Sequence, residues 1–310
     1  MIAIVSRELL IGLRRGAPYA VLFLNTALLA GVAAAVVALS GSISPWVAPG
    51  IGATTAPTPD GIVSTLVAWR GPTLFGVLSL YLCAVATLYA PVIGARSISY
   101  ERRVGSLDDL LGSGIRPLGI ALGKLVAATA QSLLVLASGT PIFALVWIFG
   151  GVPSRVVVLS ALILVGWTLL MTALGLTVAA CGRGDVLPAA FGVALGAILL
   201  LGSTLGFVVA LVIGRGASAA LVAMSPLLAL LLANGEHATA IAERLPGATL
   251  TLPLHISWTV GDTIWSAPLP GVAAAGFALL AFALLPLAGM AIDPYHAGKV
   301  SHLAGAGSRT

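Results

Sequence analysis

The sequence predicts an all-α integral membrane protein. Its expected parts are six transmembrane helices, an N-terminal amphipathic interface helix, a short cytoplasmic helix, and a re-entrant hairpin before the last span. Three observations carry this. Hydrophobic residues make up 59% of the 310 and charged residues only 8%, where a soluble domain has about 25% charged. The apolar residues gather into runs of the roughly 20 residues that a bilayer crossing needs. Finally, the few Lys and Arg residues collect in alternate loops. A mean hydropathy of +1.10 leaves too little polar surface for a water-soluble globule. The net charge of +5 therefore marks membrane flanks and calls for no nucleic acid.

Residues 2–15, "IAIVSRELLIGLRR", place Ile2, Val5, Leu9 and Leu13 on one helical face, with Arg7, Glu8, Arg14 and Arg15 elsewhere. This suits a helix lying in the inner leaflet with its arginines near anionic headgroups. The first span follows at 17–39, too long for a signal-peptide core. A Pro-, Gly- and Thr-rich loop then leads to the second span at 73–94.

Residues 97–116 form the expected cytoplasmic loop. Arg96, Glu101, Arg102, Arg103, Asp108, Asp109, Arg116 and Lys124 put eight of the 25 charges in and beside it. Ser106 with Asp109 fits a capping box, and Leu107, Leu110 and Leu111 share one face of a short helix. Gly112 and Gly114 can end that helix, and Pro117 suits the first turn of the next. An exposed leucine stripe needs a cover, either a cytosolic partner or the bilayer surface.

Spans are expected at 118–149, 156–181 and 187–213, with a kink at Pro141. In the last of these, Gly192/Gly196 and Gly202/Gly206 form two small-xxx-small pairs, either a helix-packing face or ordinary glycine abundance. Residues 217–233 are short and carry Ser225-Pro226, so they read as re-entrant, although a seventh span has nearly the length. An extracytoplasmic loop at 234–267 precedes the last span, 268–292, where Pro286 is a second kink site. With the N-terminus inside, the inner flanks hold 11 Lys and Arg residues and the outer flanks four. Both termini are then cytoplasmic in the plasma membrane, which requires an even number of crossings.

Few polar residues fall within the spans: Asn25, Gln131, Ser132, Thr168, Thr172 and Thr204. The expected lack of intramembrane charge argues against a proton-coupled carrier. Lys124 is read as marking the membrane boundary and snorkelling. Cys83 and Cys181 sit in apolar runs as packing residues. Glu236, His237, Glu243, His255 and Asp262 make no HExxH pattern and no nucleophile–base–orienter set, so no catalytic, cofactor or metal residues are assigned. "GIALGKL" fails as a phosphate loop, because three residues separate Gly119 from Gly123 and Leu125 follows Lys124. ATP hydrolysis by this chain is not expected.

"YERRVGSLDDLLGSGIRPLGIALGK" resembles the cytoplasmic motif of ABC-2-type exporter permeases. The matching features are Glu101, Arg102, Gly105, Leu107, Leu110, Leu111, Ser113, Gly123 and Lys124. The N-terminal "SREL…LRR", the six spans and the broken hairpin extend the likeness over nearly the whole chain. The resemblance implies a permease subunit with no cofactor of its own, paired with a second permease subunit and served by a separate nucleotide-binding ATPase subunit. It implies an ATPase-subunit contact at Arg7, Glu8, Glu101, Arg102, Gly105, Leu107, Leu110 and Leu111, which makes 97–116 a coupling loop. An apolar or amphipathic substrate, a drug or a lipid, is expected. The alternative is an ion-coupled carrier or a membrane-embedded enzyme with no ATPase partner.

The charge bias gives a direct test of topology. Ser301→Cys should stay unreactive to an impermeant maleimide in intact cells, and Glu236→Cys should react. Labelling of Ser301→Cys from outside would overturn the six-span arrangement.

Overall fold

The computed structural model describes residues 16–47, 59–112, 115–149, 152–182, 186–212, 225–233, 255–260 and 263–292. The interface helix expected at 2–15 lies outside them, with Arg7 and Glu8. The described chain is overwhelmingly helical: α1 Gly16–Val47, α2 Pro59–Val104, α3 Ser106–Gly112, α4 Pro117–Ala137, α5 Thr140–Phe149, α6 Ser154–Cys181, α7 Val186–Val212, α8 Pro226–Ala233 and α9 Leu269–Ile292. Six of these helices are long and apolar enough to cross a membrane: α1, α2, α4, α6, α7 and α9. Their outer faces carry exposed apolar side chains, such as Phe23, Phe191 and Leu279, which suits a lipid surround.

Four features differ from expectation. The first span does not stop at Leu39, because α1 continues to Val47. The second extends furthest. At 46 residues α2 is about 69 Å long, twice the hydrocarbon thickness, and it carries Arg96 to Arg103 as continuous helix. Good helix formers continue past the apolar run, and only Gly105 stops them. Its φ of +79°, in the left-handed region, makes the turn into α3. The third span is not one kinked helix. It breaks at Ser138–Gly139 into α4 and α5, because Pro141 cannot donate to the Ala137 carbonyl, and the Thr140 hydroxyl donates there instead.

The fourth lies in the expected loop at 234–267, which holds an antiparallel hairpin. Of the expected re-entrant segment only 225–233 is described: Ser225 begins α8, its Oγ accepting from the Leu228 amide at 3.4 Å, and Pro226 occupies the first turn. In the hairpin, β1 His255–Val260 pairs with β2 Thr263–Pro268, with Trp258 opposite Trp265. Both strands are rich in β-branched and aromatic residues.

The core is the packing of α2 and of α9 on α6, with α4 against all three and α7 against α2 and α6. In an apolar solvent, helices gain from close backbone approach, which small residues allow. Gly94 of α2 and Gly175 of α6 provide it. A Cβ at Gly94 would overlap the Thr172 carbonyl, and one at Gly175 would overlap the Pro91 carbonyl. Trp167, 1% exposed, fastens three helices. Its Nε1 donates to Thr87 Oγ1 at 2.9 Å, and its ring meets Phe277 edge-on at 5.2 Å.

The polar residues expected to satisfy themselves largely do. Ser132, Thr168, Thr172 and Thr204 each donate to the carbonyl four residues back. Asn25 Nδ2 donates to Val135 O at 2.9 Å and to Ser138 Oγ at 3.0 Å, and Asn25 Oδ1 accepts from the Tyr81 hydroxyl at 3.3 Å. The four glycines of the fifth long run divide. Gly192 and Gly196 are buried against α2 and α6 of the same chain, Gly206 is half-buried, and Gly202 is exposed with open space around it. Among the described residues, Gly202 therefore takes no part in helix packing.

Adding one methyl group at each end of this scale should separate them. Gly175→Ala drives a Cβ into backbone that cannot rotate away and should cost about 3 kcal/mol or more. Gly202→Ala should be neutral or slightly stabilising. Thermal melts of the two purified variants in one detergent check this.

Candidate functional site

The charges of the sequence gather where α2, α4 and α6 end together. Ser97 and Glu101 lie one helical turn apart on α2 and so share a face. Lys124, about two turns into α4, reaches both: Nζ lies 3.1 Å from Glu101 Oε1 and donates to Ser97 O at 2.7 Å. Lys124 is fully buried and Glu101 is 3% exposed. Lys124 therefore does not snorkel, and the spans do hold charge. An ammonium inside apolar surroundings is tolerable only beside an opposite charge and with its protons accepted.

Arg102 lies about 100° further around α2 and faces α6 instead. Its Nη1 donates to Ala179 O at 2.9 Å and Gly182 O at 2.6 Å, and its Nη2 donates to Ala180 O at 2.6 Å. These carbonyls end α6, where the helix dipole concentrates partial negative charge and no intrahelical donors remain. The planar guanidinium fork supplies donors in the required spread. Two adjacent residues on α2 thus hold two different helices.

The expected docking residues distribute as follows. Leu107 is 7% exposed and belongs to the common core, while Leu110 and Leu111 are half-buried. The leucine stripe is therefore covered largely by the chain itself, contrary to the exposed stripe expected above. Glu101 also points inward. Arg103, Val104, Gly105, Ile115 and Arg116 form the exposed rim around α3, with Val104 60% exposed. Cys83 is buried as expected, but Cys181 is exposed at the end of α6.

Glu101 and Arg102 were singled out from sequence. Lys124 was singled out only as a boundary residue and not as the partner of Glu101, and Ser97 and the α6 terminus were not singled out. The signal for Lys124 was available: opposite charges in the last turn of one span and the first turns of the next, joined by a short loop. Elsewhere, an apolar groove of about 440 Å³ runs between α1, α2 and α5, lined among others by Ala30, Ala34, Leu74, Ile142 and Val146. No protein-family model and no characterised relative matches the chain.

The buried pair should behave as a unit. Lys124→Met leaves a carboxylate stranded and should cost about 3–5 kcal/mol, and Glu101→Gln combined with Lys124→Met should recover much of it. Thermal melts of both variants in detergent measure the difference. Equal losses would mean that the charges are not coupled.

Proposed function

We propose that the chain is the permease subunit of an ATP-driven exporter of the ABC-2 type, working with a separate nucleotide-binding ATPase subunit. One observation carries this reading. The short helix α3 hangs between the second and third spans on the left-handed turn at Gly105, anchored inward by Leu107 and ringed by exposed Arg103, Val104, Ile115 and Arg116. Such a helix offers a cytosolic partner a firm handle on two spans at once. The apolar rim of Val104 and Ile115 supplies contact area, and the arginines supply attraction for an acidic face.

In this reading both termini face the cytoplasm. Residues 2–15 lie along the inner leaflet with Arg7 and Glu8 near the same partner, and 217–233 enter and leave the membrane from one side. Two permease subunits flank the pathway. The substrate is apolar or amphipathic, in keeping with the groove between α1, α2 and α5.

An ion-coupled carrier is the second reading, and the buried Glu101–Lys124 pair favours it. The hydroxyls of Ser132, Thr168 and Thr172, however, are spent on their own helices. They are poorly placed to pass protons onward from the pair.

Purification of the tagged chain from its native membrane separates the two. The exporter reading expects a nucleotide-binding subunit in stoichiometric yield, with ATPase activity in the eluate. Val104→Asp combined with Arg116→Glu should weaken that association at least tenfold with an unchanged melting temperature, since burial of one valine is worth about 1.5–3 kcal/mol. A chain that purifies alone and transports on an ion gradient would overturn the proposal.

A further inference from the structure

Arg102 has a use that the docking of a partner does not exhaust. Its guanidinium is committed to three carbonyls at the end of α6, while Glu101 holds α4 through Lys124. Three residues on, Gly105 opens α3, and Leu107 sinks into the common core. Eleven residues before Arg102, the Pro91 carbonyl sits directly against Gly175. The two helices are thus joined at two points, Pro91 with Gly175 and Arg102 with 179–182. Eleven residues of helix separate those points on α2 by about 16 Å. One joint would leave α2 free to pivot or slide on α6, and two joints remove both freedoms. From α6 the connection continues to α9, through Trp167 on Phe277 and through Gly166 against the Ala274 backbone.

We infer that Arg102 is a positioning residue that ties α3 to α6, so that a displacement of α3 moves the ends of α2, α4 and α6 as one body. Among the described residues α1 is held by side-chain hydrogen bonds to the other helices at one level only, Asn25 and Thr26, and only 11% of its membrane window is buried. Relative motion therefore falls between α1 and this body. The tie stands on the chain alone, and only the source of the displacement rests on the exporter reading.

The native cysteines suit a test on the full-length protein in lipid nanodiscs, since Cys181 is exposed and Cys83 is buried. Spin labels on Cys181 and on Val104→Cys report the distance between the ends of α6 and α2. A single narrow distribution is expected. Arg102→Met should broaden it about twofold, and Arg102→Lys, which keeps the charge but loses the fork, should fall between. Arg96→Met, an exposed arginine on the same helix, should leave it unchanged. If Arg102→Met fails to fold, the comparison of Arg102→Lys with Arg96→Met decides. An unchanged width in Arg102→Lys would then overturn the tie.

A second label pair, Cys181 with Phe23→Cys, reads transmission in the complex with the nucleotide-binding subunit. ATP with vanadate should shift this distance in the native chain. In Arg102→Lys that still co-purifies with the nucleotide-binding subunit, the shift should shrink to less than half its native size. A shift of native size in the variant would overturn transmission through Arg102. Failure to find any ATPase subunit would overturn the exporter reading, and the first label pair would still judge the tie.

Discussion

The backbone contact between α2 and α6 is the constraint on which the other features depend. Lipid tails solvate leucine as well as another helix does, so the gain must come from close fit. Gly94 and Gly175 let two helices touch main chain to main chain, with no room for a methyl group on either. That contact fixes how the two helices are aligned along their length. Thr87 then meets the Trp167 indole, and Arg102 meets the last carbonyls of α6, at nearly the same offset in residue number. A shift of one turn would move every one of these partners out of reach.

Once the helices are so aligned, the charges at their ends have little choice. An arginine beside an unfinished helix terminus satisfies three carbonyls that would otherwise need water. A lysine facing the other side of α2 would be costly alone, and it is tolerated because Glu101 faces it. Part of the charge concentrated around 96–124 is therefore used within the chain. Glu101 and Lys124 are buried and Arg102, though exposed, is hydrogen-bonded to the end of α6, while Arg96, Arg103 and Arg116 are exposed as well. Hydropathy and loop charge treat all six alike, because they count residues and ignore direction.

The same blindness to direction explains what was legible in the sequence. Six long apolar helices, the start of α3 at Ser106, the turn at Gly105 and the entry of Pro117 into α4 all follow from local rules of length, capping and φ. So did the self-satisfaction of Ser132, Thr168, Thr172 and Thr204. What stayed hidden required knowing neighbours. Gly192 and Gly196 belong to a packing seam and Gly202 does not, although the three sit in one helix. Gly94 and Gly175 matter more than any of them and lie in no Gly-xxx-Gly pair. The stripe of Leu107, Leu110 and Leu111 was correctly placed on one face, but its cover comes from the chain. The hairpin at 255–268 was readable from its β-branched runs flanking Gly261-Asp262, a turn pair that signals a hairpin.

The break in the third span shows how a local defect becomes an attachment. Without a donor at Pro141, the backbone tightens around Ser138: Gly139 donates to Leu136 O and Ile142 donates to Gly139 O. In a continuous helix the Val135 and Ser138 carbonyls would accept from Gly139 and Ile142. The tightened turn turns the Val135 carbonyl to the Ser138 amide and hydroxyl with a lone pair left for an outside donor, and leaves the Ser138 carbonyl open to one in an apolar setting, where an unmet carbonyl is costly. Asn25 donates to the first and the Thr26 hydroxyl to the second at 3.2 Å. The first helix, with little of its surface buried, is thus held at the point where the third span is discontinuous. A proline that weakens one helix creates the acceptors that fasten another. The fastening is a small polar knot on a mostly lipid-facing helix, so α1 can be located without being immobilised along its length.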